Sequence, residues 1–338
     1  MIFLHSGKGN NVKFSDIIGH ERIVAHLKSA AANDRISHAY IFNGEDDCGK
    51  SFTADIFAAA IQCESKADAP CGKCKSCIQA FSGNHPDIIK VTHEKSLISV
   101  DDIRVQVNSD IAIKPYSSRY KIYIVDEAEK MNEQAQNALL KTIEEPPEYA
   151  VIILLTNNAG RFLPTILSRC IKLDFRSVSN ELVKKYLMEE CKLPDYQAGL
   201  SAAFSSGNIG KAKKHAESEE FSERLAQVTK ILKGIDRMRI DELNQAVKYF
   251  ASVKAQIDEC IDLAELWFRD VLVYKASKDT KDILYKNEAE AIKEQAASRS
   301  FEAFDSIQKE FSTLRARIRA NVNFEASIEM FLLNVGTE

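Results

Sequence analysis

Residues 44–51 form the sequence feature that most constrains the fold of this chain. The segment reads GEDDCGKS; it follows an apolar run at 39–42 and precedes a helix-forming segment at 52–61. In a phosphate loop, glycines let backbone amides wrap a phosphate, a lysine binds its outer oxygens and a hydroxyl binds magnesium. The segment therefore predicts an α/β domain with a phosphate site. The residues assigned to it are Gly44, Gly49, Lys50 and Ser51.

Five apolar runs, separated by helix-forming segments, predict the strands of this domain. Strands that alternate with helices are typical of a parallel sheet buried on both faces. One connecting helix is well delimited, because Asn132 is a good N-cap and Pro146 stops the helix. The predicted strands are 39–42, 88–91, 122–125, 151–155 and 171–175.

Three carboxylates inside the phosphate loop oppose the binding of a polyanion. They belong to Glu45, Asp46 and Asp47. Two unit charges about 5 Å apart repel by roughly 3 kcal/mol at an effective dielectric constant of about 20. Two interpretations therefore stay open: a working ATP/Mg²⁺ site, or a phosphate-loop fold that binds nucleotide weakly or not at all.

Polar residues after two further predicted strands extend the candidate nucleotide site. Asp126 and Glu127 follow the third run, where one carboxylate would help to hold magnesium and the other would polarise a water molecule. Thr156 and Asn157 follow the fourth run and are candidates for hydrogen bonds to a γ-phosphate or its attacking water. A solvated acid pair and a turn-forming asparagine are the alternative interpretations.

Four of the eight cysteines have the spacing C-x7-C-x2-C-x2-C, which is typical of a metal site. Two C-x2-C steps that share a cysteine let their thiolates converge on one tetrahedral ion. We predict a structural Zn²⁺ site, with an iron–sulfur cluster or unliganded thiols as alternatives. Four thiolates leave no open position for catalysis. The predicted ligands are Cys63, Cys71, Cys74 and Cys77.

Charge and hydropathy exclude several classes of protein. Lys and Arg total 45 against 49 Asp and Glu, so no overall positive field attracts nucleic acid, and any DNA contact must be local or shared. The longest apolar run, 149–155, is far shorter than the roughly 20 residues of a membrane-spanning helix. We therefore expect a cytoplasmic protein that has no membrane contact and keeps its cysteines reduced.

Helical periodicity dominates the second half of the chain. A polar stretch at 176–180 leads into a small helical unit at 181–216, and apolar stripes at helical spacing follow. Such stripes predict a helical bundle with some apolar surface left for subunit packing. The two stripes consist of Phe221, Leu225, Val228 and Leu232, and of Phe301, Phe304, Ile307, Phe311, Leu314 and Ile318.

Several segments occur in an order that resembles the AAA+ clamp-loader family of bacteria. Besides the phosphate loop and the cysteine insertion, they are 14–21 (FSDIIGHE), 38–42 (HAYIF), 125–129 (VDEAE), 137–147 (NALLKTIEEPP) and 168–170 (SRC). The resemblance runs from residue 14 to the C-terminus and implies three domains. The expected division is an N-terminal extension at 1–12, an AAA+ α/β domain at 13–176 with a zinc module at 63–77, a helical lid at 177–217 and a helical collar for oligomerisation at 218–338.

The resemblance also implies the partners of the chain. The family opens a sliding clamp and places it on primed DNA, and its collar joins five subunits in a ring segment. The expected partners are therefore the motor subunits and a further subunit of such a hetero-pentamer, the sliding clamp, and primed DNA through the assembled complex. The expected location is the replisome at the bacterial nucleoid.

Two departures from the family pattern imply a non-motor subunit. Motor subunits carry an arginine in the lid where this chain has Gly210, and a loop glycine where it has Asp47. The chain is thus expected to turn over little or no ATP itself, and the role of Glu127 is expected to be vestigial.

Arg169, in the SRC segment, is identified by the resemblance as an arginine finger that acts in trans on the ATP of a neighbouring motor subunit. Taken alone, an arginine in such a place is usually a solvated charge or part of a local ion pair. Two other functions stay open: an ATP-hydrolysing motor subunit of the same loader, and a zinc-module protein that binds nucleic acid on its own.

Overall fold

The computed structural model describes residues 12–337, apart from 66–67 and 94–95. The predicted extension at 1–12 therefore lies outside the described residues except for Val12. The described chain divides into two compact units. Unit 1 comprises the residues up to Leu182 together with Asn208–Gly210, and unit 2 comprises Val183–Gly207 and the residues from Lys211 onward. The division into AAA+, lid and collar domains remains a prediction.

Unit 1 contains a five-stranded parallel sheet with the order β2-β3-β4-β1-β5. Each predicted apolar run lies in one of its strands, except that Phe175 falls just after the last strand. Because Asn43 pairs with Thr156 at the ends of neighbouring strands, the loops after them open at one edge of the sheet. The strands are β1 (Ala39–Asn43), β2 (Ile88–Val91), β3 (Lys121–Val125), β4 (Ala150–Thr156) and β5 (Ile171–Asp174).

Helices cover both faces of this sheet. Tyr40 and Phe42 pack into one apolar core and Ala39 and Ile41 into the other, as expected for a strand buried on both sides. The prediction of a buried parallel α/β sheet is thus confirmed. The helices that precede β5 are α1 (Glu21–Ala32), α2 (Lys50–Gln62), α3 (Lys75–Phe81), α4 (Val100–Ile103), which continues as a π-helix at Arg104–Asn108, α5 (Glu133–Glu144) and α6 (Pro164–Leu167).

Helix α5 forms as its sequence predicts. The Asn132 side chain accepts a hydrogen bond from the Ala135 amide at 2.8 Å and so caps the helix. The stripe Ala135, Leu139 and Ile143 is buried against the sheet. Its C-terminal end, immediately before the two prolines, is thereby fixed in position.

The remaining described chain is helical and ends in unit 2. Trp267 is fully buried in a single apolar core there, with Val228 and Leu232 of the first predicted stripe. Phe301 departs from the second stripe, because its side chain is 55% exposed and Lys275 lies over its ring. The helices are α7 (Asn180–Glu189), α8 (Asp195–Phe204), α9 (Ile209–Glu217), α10 (Glu219–Gly234), α11 (Ile240–Ser252), α12 (Ile257–Ser277), α13 (Ala289–Ser298), α14 (Phe301–Arg319) and α15 (Phe324–Thr337). None of the described helices combines the length and the apolarity needed to cross a bilayer.

Candidate nucleotide and metal sites

The phosphate loop leaves the end of β1 and enters helix α2. The Gly44 amide donates to the Thr156 carbonyl at 3.1 Å, and a Cβ on Gly44 would lie only 2.6 Å from the Phe175 carbonyl oxygen. Gly49 has a φ of 98° at the N-cap of α2. Both glycines are therefore required by the path of the backbone. Asp47 also has a positive φ, 63°, a conformation in which glycine is favoured.

The loop's own carbonyl groups bind the ammonium group of Lys50. Its Nζ donates to the carbonyl oxygens of Gly44 and Glu45, both at 2.6 Å, and lies 4.0 Å from a carboxylate oxygen of Asp46. The side chain is buried, with 8% of the residue exposed. A phosphate would have to compete with these oxygens for the same donors.

Residues 208–210 contact the loop from a distant part of the sequence. Asn208 Nδ2 donates to the Asp46 carbonyl at 2.7 Å, and the Gly210 amide donates to the Asp47 carbonyl at 3.1 Å. A Cβ on Gly210 would lie 2.5 Å from that carbonyl oxygen. The absence of a side chain at position 210 is thus what allows this contact.

The acid pair after β3 is bound to neighbouring groups. Asp126 is exposed, and its Oδ1 accepts a hydrogen bond from the Glu127 amide at 2.9 Å. The Glu127 carboxylate accepts from Lys130 Nζ at 2.6 Å and lies 3.3 Å from His93 Nε2. The hydrogen bond from Lys130 lowers the pKa of Glu127. Glu127 is therefore a paired carboxylate, and a poor general base.

Thr156 and Asn157 lie beside the loop, as predicted. Thr156 is buried, and its hydroxyl accepts from the Asn158 amide at 3.1 Å. The Asn157 side-chain nitrogen is 3.4 Å from both carboxylate oxygens of Asp46, and its backbone amide donates to Glu129 at 3.3 Å. The hydrogen bond from Asn157 to Glu129 was not predicted, because no motif in the sequence indicates that this acidic residue is buried beside the loop.

The four cysteines of the metal motif lie together at the start of α3 and the end of α2. Their sulfur atoms are all within 4.8 Å of one another, so the cluster could hold a metal ion. Sulfur atoms around a tetrahedral zinc, bound at about 2.3 Å, are about 3.8 Å apart, and only a small contraction would be needed. The donors are soft thiolates, which suit zinc better than magnesium or calcium.

Electrostatics distinguish the thiols of the cluster from one another. Backbone N–H groups of Lys73 and Cys74 lower the pKa of the Cys71 thiol to about 6. Burial raises the pKa of Cys63 and of Cys77. Burial thus favours the protonated form of this pair, and coordination to a cation would deprotonate these thiols.

His85 links the cysteine cluster to the loop before β3, a contact that was not predicted from the sequence. It is 4% exposed, and its Nε2 lies 2.9 Å from the Ser76 hydroxyl and 3.2 Å from the Ser118 hydroxyl. Its Nδ1 accepts from the Asp87 amide at 3.1 Å, so the neutral ring carries its proton on Nε2. Burial lowers the pKa of His85, which favours this neutral form.

Arg169 is part of an ion pair at the surface of unit 1. Its Nη2 is 3.1 Å from Glu144 Oε1, and its Nη1 donates to the Thr165 carbonyl at 3.0 Å. Of the side chain, 40% is exposed. Its contacts are therefore with residues outside the phosphate loop, and its side chain is partly exposed.

Comparison with known proteins finds that the chain is similar to subunits of DNA polymerase III. A family model described as "DNA polymerase III, delta subunit" matches residues 19–179. DNA polymerase III subunit tau of Bacillus subtilis is 28% identical over 343 residues, which span 94% of this chain and 61% of that relative. DNA polymerase III subunit delta' of the same organism is 27% identical over 317 residues, 92% of this chain and 94% of that relative. A gamma subunit-related protein of Thermotoga maritima aligns over 92% of this chain and 98% of its own, with 21% identity and a TM-score of 0.41.

Proposed function

We propose that this chain is a member of the bacterial clamp-loader family and, within it, the delta-prime subunit of the DNA polymerase III clamp loader. In this role it helps to load the sliding clamp on primed DNA during replication, as a scaffold rather than a motor. The observation that carries the proposal is the phosphate loop, whose lysine and carbonyl groups are bound by the chain's own atoms. The matched span of the Bacillus delta' subunit, nearly its whole length, also supports it.

Weak or absent ATP turnover by this chain is the first part of the proposal. Lys50 is held by loop carbonyls, Asp46 and Asp47 add negative charge, and Gly210 packs where a motor subunit carries an arginine. Glu127 is paired with Lys130. ATP and Mg²⁺ would bind weakly at most, through the predicted set Gly44, Gly49, Lys50, Ser51, Asp126, Thr156 and Asn157.

The second part is that Arg169 completes the ATP site of a neighbouring motor subunit. There, a water oxygen bonds to the γ-phosphorus while the bond to the bridging oxygen breaks, and ADP and phosphate leave. Negative charge builds on the γ-phosphoryl oxygens, and a guanidinium from outside the motor stabilises it while keeping its own protons. Its partly exposed position suits this role.

The proposed partners are gamma or tau motor subunits and a delta subunit in a hetero-pentamer of the polymerase III holoenzyme, a DNA-directed DNA polymerase. The collar at 218–338 would join the subunits, and the lid at 177–217 would link it to the AAA+ domain. The chain would contact the sliding clamp and primed DNA as part of the assembled complex. The complex would act in the replisome at the nucleoid. A structural Zn²⁺ would be held by the four clustered cysteines.

An ATP-hydrolysing motor subunit of the gamma/tau type is the alternative. Lys50, Ser51 and Asp126 keep the chemistry of a nucleotide site, and the Bacillus tau subunit is about as similar as delta'. Titration of the isolated chain with ATP, followed by a turnover assay, separates the two. Steady ATP turnover by the isolated chain that is lost in Lys50→Ala would establish that the chain is a motor subunit.

Reconstitution of the loader tests the proposal directly. With Arg169→Ala the five subunits should still assemble on gel filtration, while clamp- and DNA-stimulated ATP turnover at the neighbouring motor site should fall by about a thousandfold or more, which lowers the turnover of the whole loader. Arg169→Lys should also fail, because an ammonium group does not reproduce the planar donor pair of a guanidinium. Full turnover by the alanine variant in an intact complex would refute the trans-acting role.

A further inference from the structure

We propose that Glu144 is a positioning residue for Arg169, a role that rests on the proposed function of Arg169 in trans. Glu144 is the last residue of helix α5, and its Oε1 lies 3.1 Å from Arg169 Nη2. The two residues are far apart in sequence and come from different helical connections. The carboxylate thus meets the guanidinium only in the folded chain.

The helix that carries Glu144 is itself firmly fixed. Asn132 caps its N-terminus, and Ile143, next to Glu144, is 1% exposed in the core beneath the sheet. Pro146 follows the last turn. The carboxylate therefore projects from a rigid support, and a contact with it restricts where the long arginine side chain points.

The hydrogen bonds of Arg169 leave part of the guanidinium available. Nη1 donates to the Thr165 carbonyl at 3.0 Å and lies 3.3 Å from the Ser168 hydroxyl, so both of its N–H groups are used. Nη2 is paired with Glu144. Of the five N–H groups of a guanidinium, the Nε–H and the two on Nη2 form no hydrogen bond with the described residues, and Nη2 meets Glu144 as an ion pair. An oxyanion from another subunit can take the Nε–H and one Nη2–H without displacing Glu144.

The number of unused donors decides between two roles for Glu144: it can orient Arg169, or it can compete with the phosphoryl oxygens for the guanidinium. If the phosphoryl oxygens had to displace Glu144, the carboxylate would hold Arg169 back, and its removal would raise turnover. Because donors remain free, the pair can persist in the transition state and orient the group. The pair is about 40% exposed on both sides, so it adds little to the stability of the fold.

The test is a reconstituted loader in which this chain carries Glu144→Gln, with Glu145→Gln as a matched control. Glu145 is adjacent and exposed, and its side chain forms no ion pair within the described part of the chain. We expect kcat for ATP to fall about two- to fivefold in Glu144→Gln, with KM unchanged, and to stay unaltered in the control. KM should not move because the neighbour binds the ATP. Glu144→Asp, which keeps the charge, should recover part of the loss.

A double-mutant cycle excludes a merely structural effect. In an Arg169→Ala background, Glu144→Gln should change nothing further. A second loss there, an increase in kcat, or full kcat in Glu144→Gln while Arg169→Ala is deficient would each overturn the positioning role and leave the proposed function standing. Full kcat in Arg169→Ala would instead remove the proposed function and this inference with it.

Discussion

The amide of Gly210 donates a hydrogen bond to the carbonyl of Asp47, and this contact closes the phosphate loop with a segment 163 positions away in the chain. A Cβ at position 210 would lie 2.5 Å from the Asp47 oxygen and 2.8 Å from the Asp47 Cβ. The two positions at which the resemblance implies a departure from motor subunits therefore meet at one point. Asp47 and Gly210 form a single structural arrangement within unit 1.

Asp47→Gly should tighten the binding of ATP to the isolated chain, by about tenfold or more. The change removes a carboxylate beside the polyphosphate and suits the positive φ of 63° at this position. Isothermal titration measures the affinity. Asp47→Asn serves as the comparison, since it removes the charge but keeps the side chain, and it should give only part of the gain. Equal affinity in all three proteins would show that repulsion by Asp47 is not the cause of weak binding.

Gly210→Ala should destabilise unit 1 by about 1–3 kcal/mol, since the added methyl group overlaps the Asp47 carbonyl. Gly199→Ala is the matched control: its Cβ would meet only Lys184 Cε at 3.8 Å, an ordinary contact. Alanine in that helix interior should instead stabilise by up to about 1 kcal/mol. Thermal unfolding of the two variants measures both changes in stability, the expected decrease in Gly210→Ala and the expected increase in Gly199→Ala. A neutral result at position 210 would mean that the loop moves aside at no cost.

One zinc ion per chain should be found by elemental analysis of freshly prepared, reduced protein. Cys74→Ser should lower the zinc content and loosen the segment around α3, because metal binding is coupled to local folding. Cys191→Ser, outside the cluster, should keep the metal and serves as the control. An iron absorption band, or protein without zinc, would contradict the assignment.

His85→Ala should loosen the segment around the cysteine cluster. The ring joins Ser76, adjacent to Cys77, to Ser118 beside the sheet. Its removal leaves the buried Ser76 hydroxyl and the half-buried Ser118 hydroxyl without this partner, at a cost of about 1–3 kcal/mol. Hydrogen exchange of α3 should accelerate while that of α5 stays slow. Unchanged exchange in α3 would show that the metal ligands alone fix the module.

The sheet could be predicted closely because its three central strands, β3, β4 and β1, are apolar along nearly their whole length. Ala39–Asn43 is buried on both faces, and a continuous apolar run of this kind is typical of a central strand in a parallel sheet. Helix α5 could be predicted because Asn132 and Pro146 mark its ends. Phe301 shares the helical spacing of the buried residues of α14, but it is the first residue of that helix and is 55% exposed, so spacing alone did not separate buried from exposed positions.

Contacts between distant residues could not be predicted from the sequence. Nothing in the spacing pairs Arg169 with Glu144, or Gly210 with Asp47, because an ion pair or a close backbone approach depends on the final packing of the sheet and helices. The cysteine cluster is the counter-example. Its ligands are close in sequence, so the short loop itself brings them together.

Unit 2 should lose stability on acidification, and His215 should account for part of the loss. Its ring packs against Phe204 and Phe221, with centroids 4.8 Å and 4.4 Å away. Burial, with Arg224 nearby, lowers the pKa of His215 to about 4 from 6.5. Between these values the unfolded chain binds a proton that the folded chain does not. The stabilisation is therefore complete above pH 6.5 and is lost as the pH falls toward 4.

His215→Phe should flatten this pH dependence. The single tryptophan, Trp267, lies in the core of unit 2, so its fluorescence reports the unfolding of this unit. Between pH 7 and pH 5 the parent protein should lose about 1 kcal/mol more stability than the variant, a figure reduced because the imidazole is only partly buried. His26→Gln, at an exposed histidine of unit 1, should leave the profile unchanged. If His215→Phe lost as much stability as the parent over this range, the acid sensitivity would have to come from other groups.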